Sequence, residues 1–210
     1  MKEKFYDIVH GVRTISKYFS SDLTFESLNE ATNTYQLSAN EFQLLKWIRA
    51  NFSSDRAAVT AEAIEFELWK ETVTLLPIQG VQSILDFLVK KNIRVAAISN
   101  AIFRSPCMAY ELEKHALNKY FEFVVSSAGL GIRKPDPRIF EAALKKLDLK
   151  PQDVWFIGDK WDTDIVGANA VQMTPVWFNE FFSNHDASIE HIKLQQWSDF
   201  EVAWNQRTSS

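Results

Sequence analysis

Hydrophobic positions recur at two different periods along this chain, and the change comes near Pro77. Before it the period is helical. Phe5, Ile8, Val9, Val12, Ile15 and Phe19 are spaced by three or four, or lie side by side, on one face of an amphipathic helix. Residues 24–37 repeat the pattern with Phe25, Leu28, Ala31 and Tyr35, and Thr24 with Ser27 adds a weak start signal. Residues 40–50 (Phe42, Leu45, Ile48) and 60–75 (Ile64, Leu68, Val73) predict two more helices. The turn chemistry of Asn51-Phe52-Ser53-Ser54-Asp55 separates them. Residues 1–75 therefore read as all-helical.

After Pro77 helices and strands alternate. Residues 80–91 predict a helix with Val81, Ile84, Leu85 and Leu88 on one face. Residues 93–98 predict a strand ending in Ser99-Asn100. A helix over 105–118, a strand over 121–125, a helix over 137–147, a strand over 154–158, a helix from 162 to 171 and a strand over 174–178 follow. In the tail, Ile192, Leu194, Trp197, Phe200, Val202 and Trp204 predict an edge strand and a closing helix, with residues 207–210 frayed. This alternation means right-handed crossovers and a parallel sheet flanked by helices. The predicted fold is α/β over 76–210, with a small all-helical domain over 1–75.

Composition narrows the function class. The 210 residues fit one domain, or one core plus a small insert, and 46% hydrophobic content supplies a packed interior. A net charge of −4 argues against a nucleic-acid or membrane-surface partner. The single cysteine, Cys107, excludes an internal disulfide and fits a reducing cytoplasm. No apolar run has the length of a membrane span, and residues 1–7 lack the apolar segment of a signal peptide.

Candidate chemistry gathers at the ends of predicted strands, where open α/β sheets place their sites. The apolar run 154–157 leads into Gly158-Asp159, and Asp162 and Asp164 open the next helix. Asp159 at the strand tip can hold a hard cation such as Mg²⁺. Asp164 reads equally as a helix cap, as support or as a direct participant. Ser99-Asn100 ends an earlier strand, and Lys134-Pro135-Asp136-Pro137 follows another. Taken singly, Ser-Asn is a turn and Lys-Pro a surface loop. Together they supply a hydroxyl, backbone amides, an ammonium and a carboxylate, the set needed to hold a phosphoryl group. Pro135 and Pro137 fix the backbone on either side of Asp136 and aim the lysine.

These residues resemble the motifs of the haloacid dehalogenase superfamily, mostly phosphatases with a Rossmann-like core. Ile98-Ser99-Asn100 is similar to its second motif and residues 133–140 to its third. Residues 156–159 through Asp164, then Gly167-Ala168, are similar to its fourth. The helical first 75 residues resemble the cap that covers the site and selects substrate. The resemblance implies that Ser99 and Asn100 contact the phosphoryl group and that Lys134 neutralises the nucleophile and the phosphoryl charge. It also implies that Asp159 binds Mg²⁺ and that Asp164 supports it. The expected substrate is a small phosphomonoester.

The family's first motif, a strand ending in Asp-x-Asp-Gly-Thr, does not occur here. Its first Asp attacks phosphorus and its second is the acid/base. The nearest sequence is Phe5-Tyr6-Asp7-Ile8-Val9-His10-Gly11. As a strand, it makes Asp7 the nucleophile and puts Val9 in the acid/base place. As a helix, favoured by the apolar run through Phe19, it begins the cap, and the nucleophile is unknown. Loss of this central strand would leave two facing sheet edges unpaired. Residues 2–9, closure of the flanking strands, a segment of another copy or chain upstream of Met1 would each fill the gap. The rival function is a non-catalytic descendant that binds a phosphorylated ligand or a partner, and strand exchange would make a homo-oligomer.

His10, His115, His185 and His191 show no metal spacing and read as surface or structural. Trp47, Trp69, Trp155 and Trp177 read as core, whereas Trp161 is a candidate wall of the site or contact of the cap.

Overall fold

The computed structural model describes residues 5–6, 43–51, 59–179 and 188–208. The predicted helix over 24–37 and most of that over 5–19 lie outside these residues, as do Asp7, Val9, His10 and His185. Phe5 and Tyr6 are neither helical nor part of the parallel core sheet. They form β1 (Phe5–Tyr6), antiparallel to β2 (Val73–Thr74), with Phe5 opposite Thr74 and Tyr6 opposite Val73. Aromatic and β-branched residues favour such pairing, and at Phe5 it overrides the helical spacing.

Helix α1 (Leu44–Asn51) and helix α2 (Ala61–Thr72) precede β2. Then come α3 (Val81–Lys90), β3 (Ala97–Ser99), α4 (Ser105–Lys114), β4 (Val124–Ser126) and the single turn α5 (Ser127–Leu130). Helix α6 (Pro137–Leu147), β5 (Trp155–Gly158), a π-helical turn (Trp161–Ile165), α7 (Val166–Ala170) and β6 (Thr174–Phe178) follow. β7 (Ile192–Leu194) and α8 (Ser198–Thr208) complete the described chain. The α/β class and the alternation after Pro77 are as the periodicity predicted. Several boundaries differ: the helix expected over 60–75 stops at Thr72, where β2 takes over, and the one expected over 105–118 stops at Lys114. β3 and β4 begin later than predicted, and β3 has β4 as its one strand partner among the described residues. Helix α8 continues through Arg207, where fraying was expected, and Arg207 bonds Glu190 at 2.8 Å.

β5, β6 and β7 form a parallel three-stranded sheet. Trp155 pairs with Thr174, Gly158 with Trp177, and Phe178 with Leu194. β3 and β5 share no ladder among the described residues.

The chain divides into two compact units. One gathers the described residues up to Ile78 with Ser99–Lys119 and Phe123–Arg133. The other gathers Gln79–Ile98, Tyr120–Glu122 and the described residues from Lys134 onward. In the first, Leu44, Leu45 and Ile48 of α1 and Ile64, Leu68 and Trp69 of α2 share a core with Phe103, Cys107 and Met108. Trp69 meets the edge of Phe103 at 5.0 Å, an arrangement aromatic pairs favour. Burial pushes the Cys107 thiol up to about 12, so it stays protonated. Glu65 is buried in this core, and Arg104 satisfies it with its backbone N–H at 2.9 Å and its Nε at 2.7 Å. Arg104→Leu is expected to cost about 2 kcal/mol, because one charged hydrogen bond to a buried carboxylate is lost. Urea denaturation of the variant checks this.

In the second unit aromatic side chains pack along β5 and the helices around it. Phe156 meets Phe140 of α6 at 4.9 Å, and Trp155 meets Phe200 at 5.7 Å and Trp204 at 5.1 Å, both of α8. Arg94 grips the Glu122 carboxylate through Nε at 2.5 Å and an Nη at 2.8 Å, and donates to the Leu147 carbonyl at 2.7 Å. Gly167 lets α7 pack closely, since a Cβ there would meet the Phe140 ring at 2.6 Å and the Pro135 backbone at 3.2 Å.

Candidate active site

Lys134 stands at the start of the loop that enters α6. The Lys134–Pro135 peptide is cis, and Asp136 caps the helix by accepting the Arg138 N–H at 3.0 Å, with Pro137 in the first turn. The Arg138 guanidinium, 2.6 Å from Asp136, holds that carboxyl below its usual range. A carboxyl whose folded pKa is lowered stabilises fully above its unfolded pKa, and that stability is lost as pH falls through the folded value. The start of α6 is therefore expected to weaken only below the ordinary aspartate range, about pH 4. An NMR titration of the Asp136 carboxyl checks this.

The Lys134 side chain turns inward. It is 9% exposed, with its Nζ 2.6 Å from Asp164 Oδ1, 3.2 Å from the Ile98 carbonyl oxygen and 5.3 Å from the centre of the Phe156 ring. A carboxylate, a carbonyl and an aromatic face together surround the buried nitrogen and offset the loss of water around it.

Asp164 is 3% exposed and lies in the π-helical turn. The Asp164 N–H donates to the Lys160 carbonyl at 2.8 Å, while the Val166 N–H reaches one residue further, to Trp161. A widened turn of this kind is common at functional sites, and it replaces the first part of the α-helix expected from residue 162. The turn returns Asp164 to the end of β5, where its Oδ2 accepts the Lys160 N–H at 3.0 Å. Asp164 thus accepts a backbone N–H and pairs with a charge at once. Gly158 makes room for it, because a Cβ there would collide with the Asp164 side chain. Asp159 follows directly, exposed at the end of β5.

Ser99 closes β3, and Asn100 opens the loop behind it. That loop is pinned within the first unit. The Ala101 N–H donates to Ser127 Oγ at 2.8 Å, and the Ala128 N–H donates to the Ala101 carbonyl at 3.1 Å. Ser126 Oγ donates to the Phe103 carbonyl at 2.5 Å. The Gln43 amide donates to the Ala128 carbonyl at 2.9 Å.

Comparison with known proteins places the chain in a family. The model of the haloacid dehalogenase-like hydrolases matches residues 11–178, most of the chain. The chain belongs to that family. Among relatives, it is 33% identical over 121 residues to the glyceraldehyde 3-phosphate phosphatase of Pyrococcus furiosus, covering 57% of this chain and 49% of that protein. It is 35% identical over 96 residues to haloacid dehalogenase-like hydrolase domain-containing protein 3 of Bos taurus, covering 46% and 37%. The chain spans about half the length of the phosphatase relatives it matches. Among solved structures, the 2-haloacid dehalogenase of Pseudomonas syringae superposes with a TM-score of 0.66 at 21% identity, covering 99% of this chain and 96% of that one. A phosphatase of the same superfamily from Thermococcus onnurineus gives 0.64 at 16%, covering 94% and 87%. At these identities the superpositions speak for the fold.

Of the residues expected to form a haloacid dehalogenase-like site, Lys134 and Asp164 are in direct contact, and Asp159 follows the glycine against which Asp164 packs. Ser99 and Asn100 fall in the first unit, and Lys134, Asp159 and Asp164 in the second. Trp161 is a core residue. It is 8% exposed and packs with Ile165 and Trp177. Sequence reading missed Ser126 and Ser127, although a polar pair at a strand end was the same signal that singled out Ser99-Asn100. It also missed the Lys160 N–H. Trp177 is core, as expected, but its indole N–H also donates to the Asp159 carbonyl at 3.2 Å. Nothing in a sequence marks which way an indole points. No helix among the described residues is long and apolar enough to cross a membrane.

Proposed function

We propose that this chain is a Mg²⁺-dependent phosphatase-type hydrolase of small phosphomonoesters. The observation that carries this reading is the buried Lys134–Asp164 pair set against Gly158, immediately before the exposed carboxylate of Asp159. The donor chemistry fits the metal. Mg²⁺ takes one or two carboxylates and keeps several waters. Asp159 offers hard oxygens to solvent, while Asp164, engaged by Lys134 and the Lys160 N–H, supports it from behind. Among the described residues no three acidic, histidine or cysteine side chains converge, so water and phosphoryl oxygens would complete the shell around Asp159. Bound there, the ion would neutralise charge on the phosphoryl oxygens.

Lys134 would add a second positive charge to the equatorial oxygens. The nucleophile would be an aspartate. Its carboxylate oxygen bonds to phosphorus as the ester P–O bond breaks, and the leaving oxygen takes a proton. Water then cleaves the aspartyl-phosphate to release phosphate and restore the carboxylate. Asp7 is the nearest candidate and lies outside the described residues. The Pyrococcus furiosus relative, a glyceraldehyde 3-phosphate phosphatase by name, supports a small phosphorylated metabolite as substrate. The lone buried thiol of Cys107 is in keeping with a cytoplasmic setting.

A second reading is a binding protein without turnover. It is favoured by the absence of an Asp-x-Asp-Gly-Thr sequence and by the pairing of Phe5–Tyr6 with β2, where β3 or β5 would be the partner of a catalytic strand. The deciding experiment is hydrolysis of an aryl phosphate with and without Mg²⁺, beside Asp159→Ala. Mg²⁺-dependent turnover lost in Asp159→Ala supports the hydrolase. No turnover, with a phosphate-induced rise in melting temperature that Asp159→Ala or Lys134→Ala reduces, supports the binding protein. Absence of both effects overturns the pocket itself.

A further inference from the structure

We infer that Trp177 is a positioning residue for Asp159, acting through the peptide that joins Asp159 to Lys160; the inference rests on the proposed Mg²⁺ role of Asp159. The parallel register of β5 and β6 sets Trp177 beside Gly158, one residue short of Asp159. From there its indole N–H reaches the Asp159 carbonyl at 3.2 Å. The N–H of the same peptide belongs to Lys160 and donates to Asp164 Oδ2 at 3.0 Å. One peptide plane is therefore held at both ends, by Trp177 on its oxygen and by Asp164 on its nitrogen. Asp164 is itself anchored by Lys134 at 2.6 Å.

Rotation of that plane would break both bonds, so the ψ angle of Asp159, and with it the direction in which its Cα–Cβ bond leaves the backbone, is fixed. The donor is as immobile as the acceptor. Trp177 is 2% exposed, and its ring stands edge-on to Trp161 at 5.0 Å and to His191 at 5.9 Å. Trp161 and His191 also meet edge-on at 5.0 Å, and His191 Nδ1 is 2.7 Å from the Ile189 carbonyl oxygen, which fixes its ring. Three mutually packed rings thus aim one N–H. Groups that orient a metal-binding side chain from behind are worth about 10- to 100-fold in metal affinity.

The test uses the full chain, Mg²⁺ alone as the probe, and calorimetric titration as the readout. Trp177→Phe keeps an aromatic ring in the core and removes the donor. It is expected to bind Mg²⁺ at least tenfold more weakly than wild type. In an Asp159→Asn background the same substitution is expected to have no further effect, a cycle that a purely structural role would not close. Wild-type affinity in Trp177→Phe overturns the positioning role alone, whereas absence of Mg²⁺ binding by the wild type overturns the metal reading and this inference together. Should Trp177→Phe fail to fold, NMR of the wild type decides. The Trp177 indole N–H and the Lys160 amide are expected to shift together on Mg²⁺ addition with one midpoint, and an unmoved indole resonance at saturation overturns the inference.

Discussion

Replacing Lys134 with alanine is expected to cost about 3–5 kcal/mol of stability, a large part of what a domain of this size possesses. The cause lies less in the lysine than in what it leaves behind. Asp164 is 3% exposed, and its Oδ1 faces the lost ammonium at 2.6 Å. Without it a buried carboxylate is left with no opposite charge beside it. The Ile98 carbonyl loses a donor at 3.2 Å as well. Urea denaturation measures the loss. The double variant Lys134→Met with Asp164→Leu separates the two causes, because removing both charges together is far cheaper than stranding one. A double variant as unstable as the sum of its singles would show that the pair contributes by packing alone.

Gly158→Ala is the second large effect. The added methyl would occupy the volume of the Asp164 side chain, which is held at one oxygen by the Lys160 N–H and at the other by Lys134. Overpacking at such a site costs about 1–3 kcal/mol. In a chain of this length that is a fall in melting temperature of roughly 2–4 °C per kcal/mol. Phosphate or Mg²⁺ stabilisation should fall with it, because Asp164 cannot move without releasing Lys134 and the Asp159–Lys160 peptide. A melting temperature within a degree of wild type would mean that Asp164 has room to retreat.

Much of the α/β part was legible because its signals are local. Helix α6 (Pro137–Leu147) has a cap, a proline in its first turn and buried Ile139, Phe140, Ala143, Leu144 and Leu147 at helical spacing. β6 (Thr174–Phe178) is buried without a break from Pro175 on, as in a covered parallel strand. Where sequence reading erred, a partner decided the outcome. Phe5 lies in a helical pattern yet pairs with Thr74. The helix expected from residue 162 opens as a π turn because Asp164 is drawn back to Lys160 and across to Lys134. Trp161 is polar-flanked in sequence and looked like a site residue, but Trp177 and His191 claim it for the core.

The sequence by itself determined the alternation of strands and helices, the family motifs and which strand ends carry Ser99 and Asp159. Each of these depends on residue type at a short spacing, which backbone geometry converts directly into position. Only the tertiary structure decided that Lys134 meets Asp164, that Gly158 must lack a side chain, and that Trp177 reaches the Asp159 carbonyl. Those are contacts between residues 6 to 30 positions apart, set by strand register, by the widening of one helical turn and by which rotamer a full core allows. None of these leaves a periodic mark in the chain, because each is fixed only when the neighbouring elements pack.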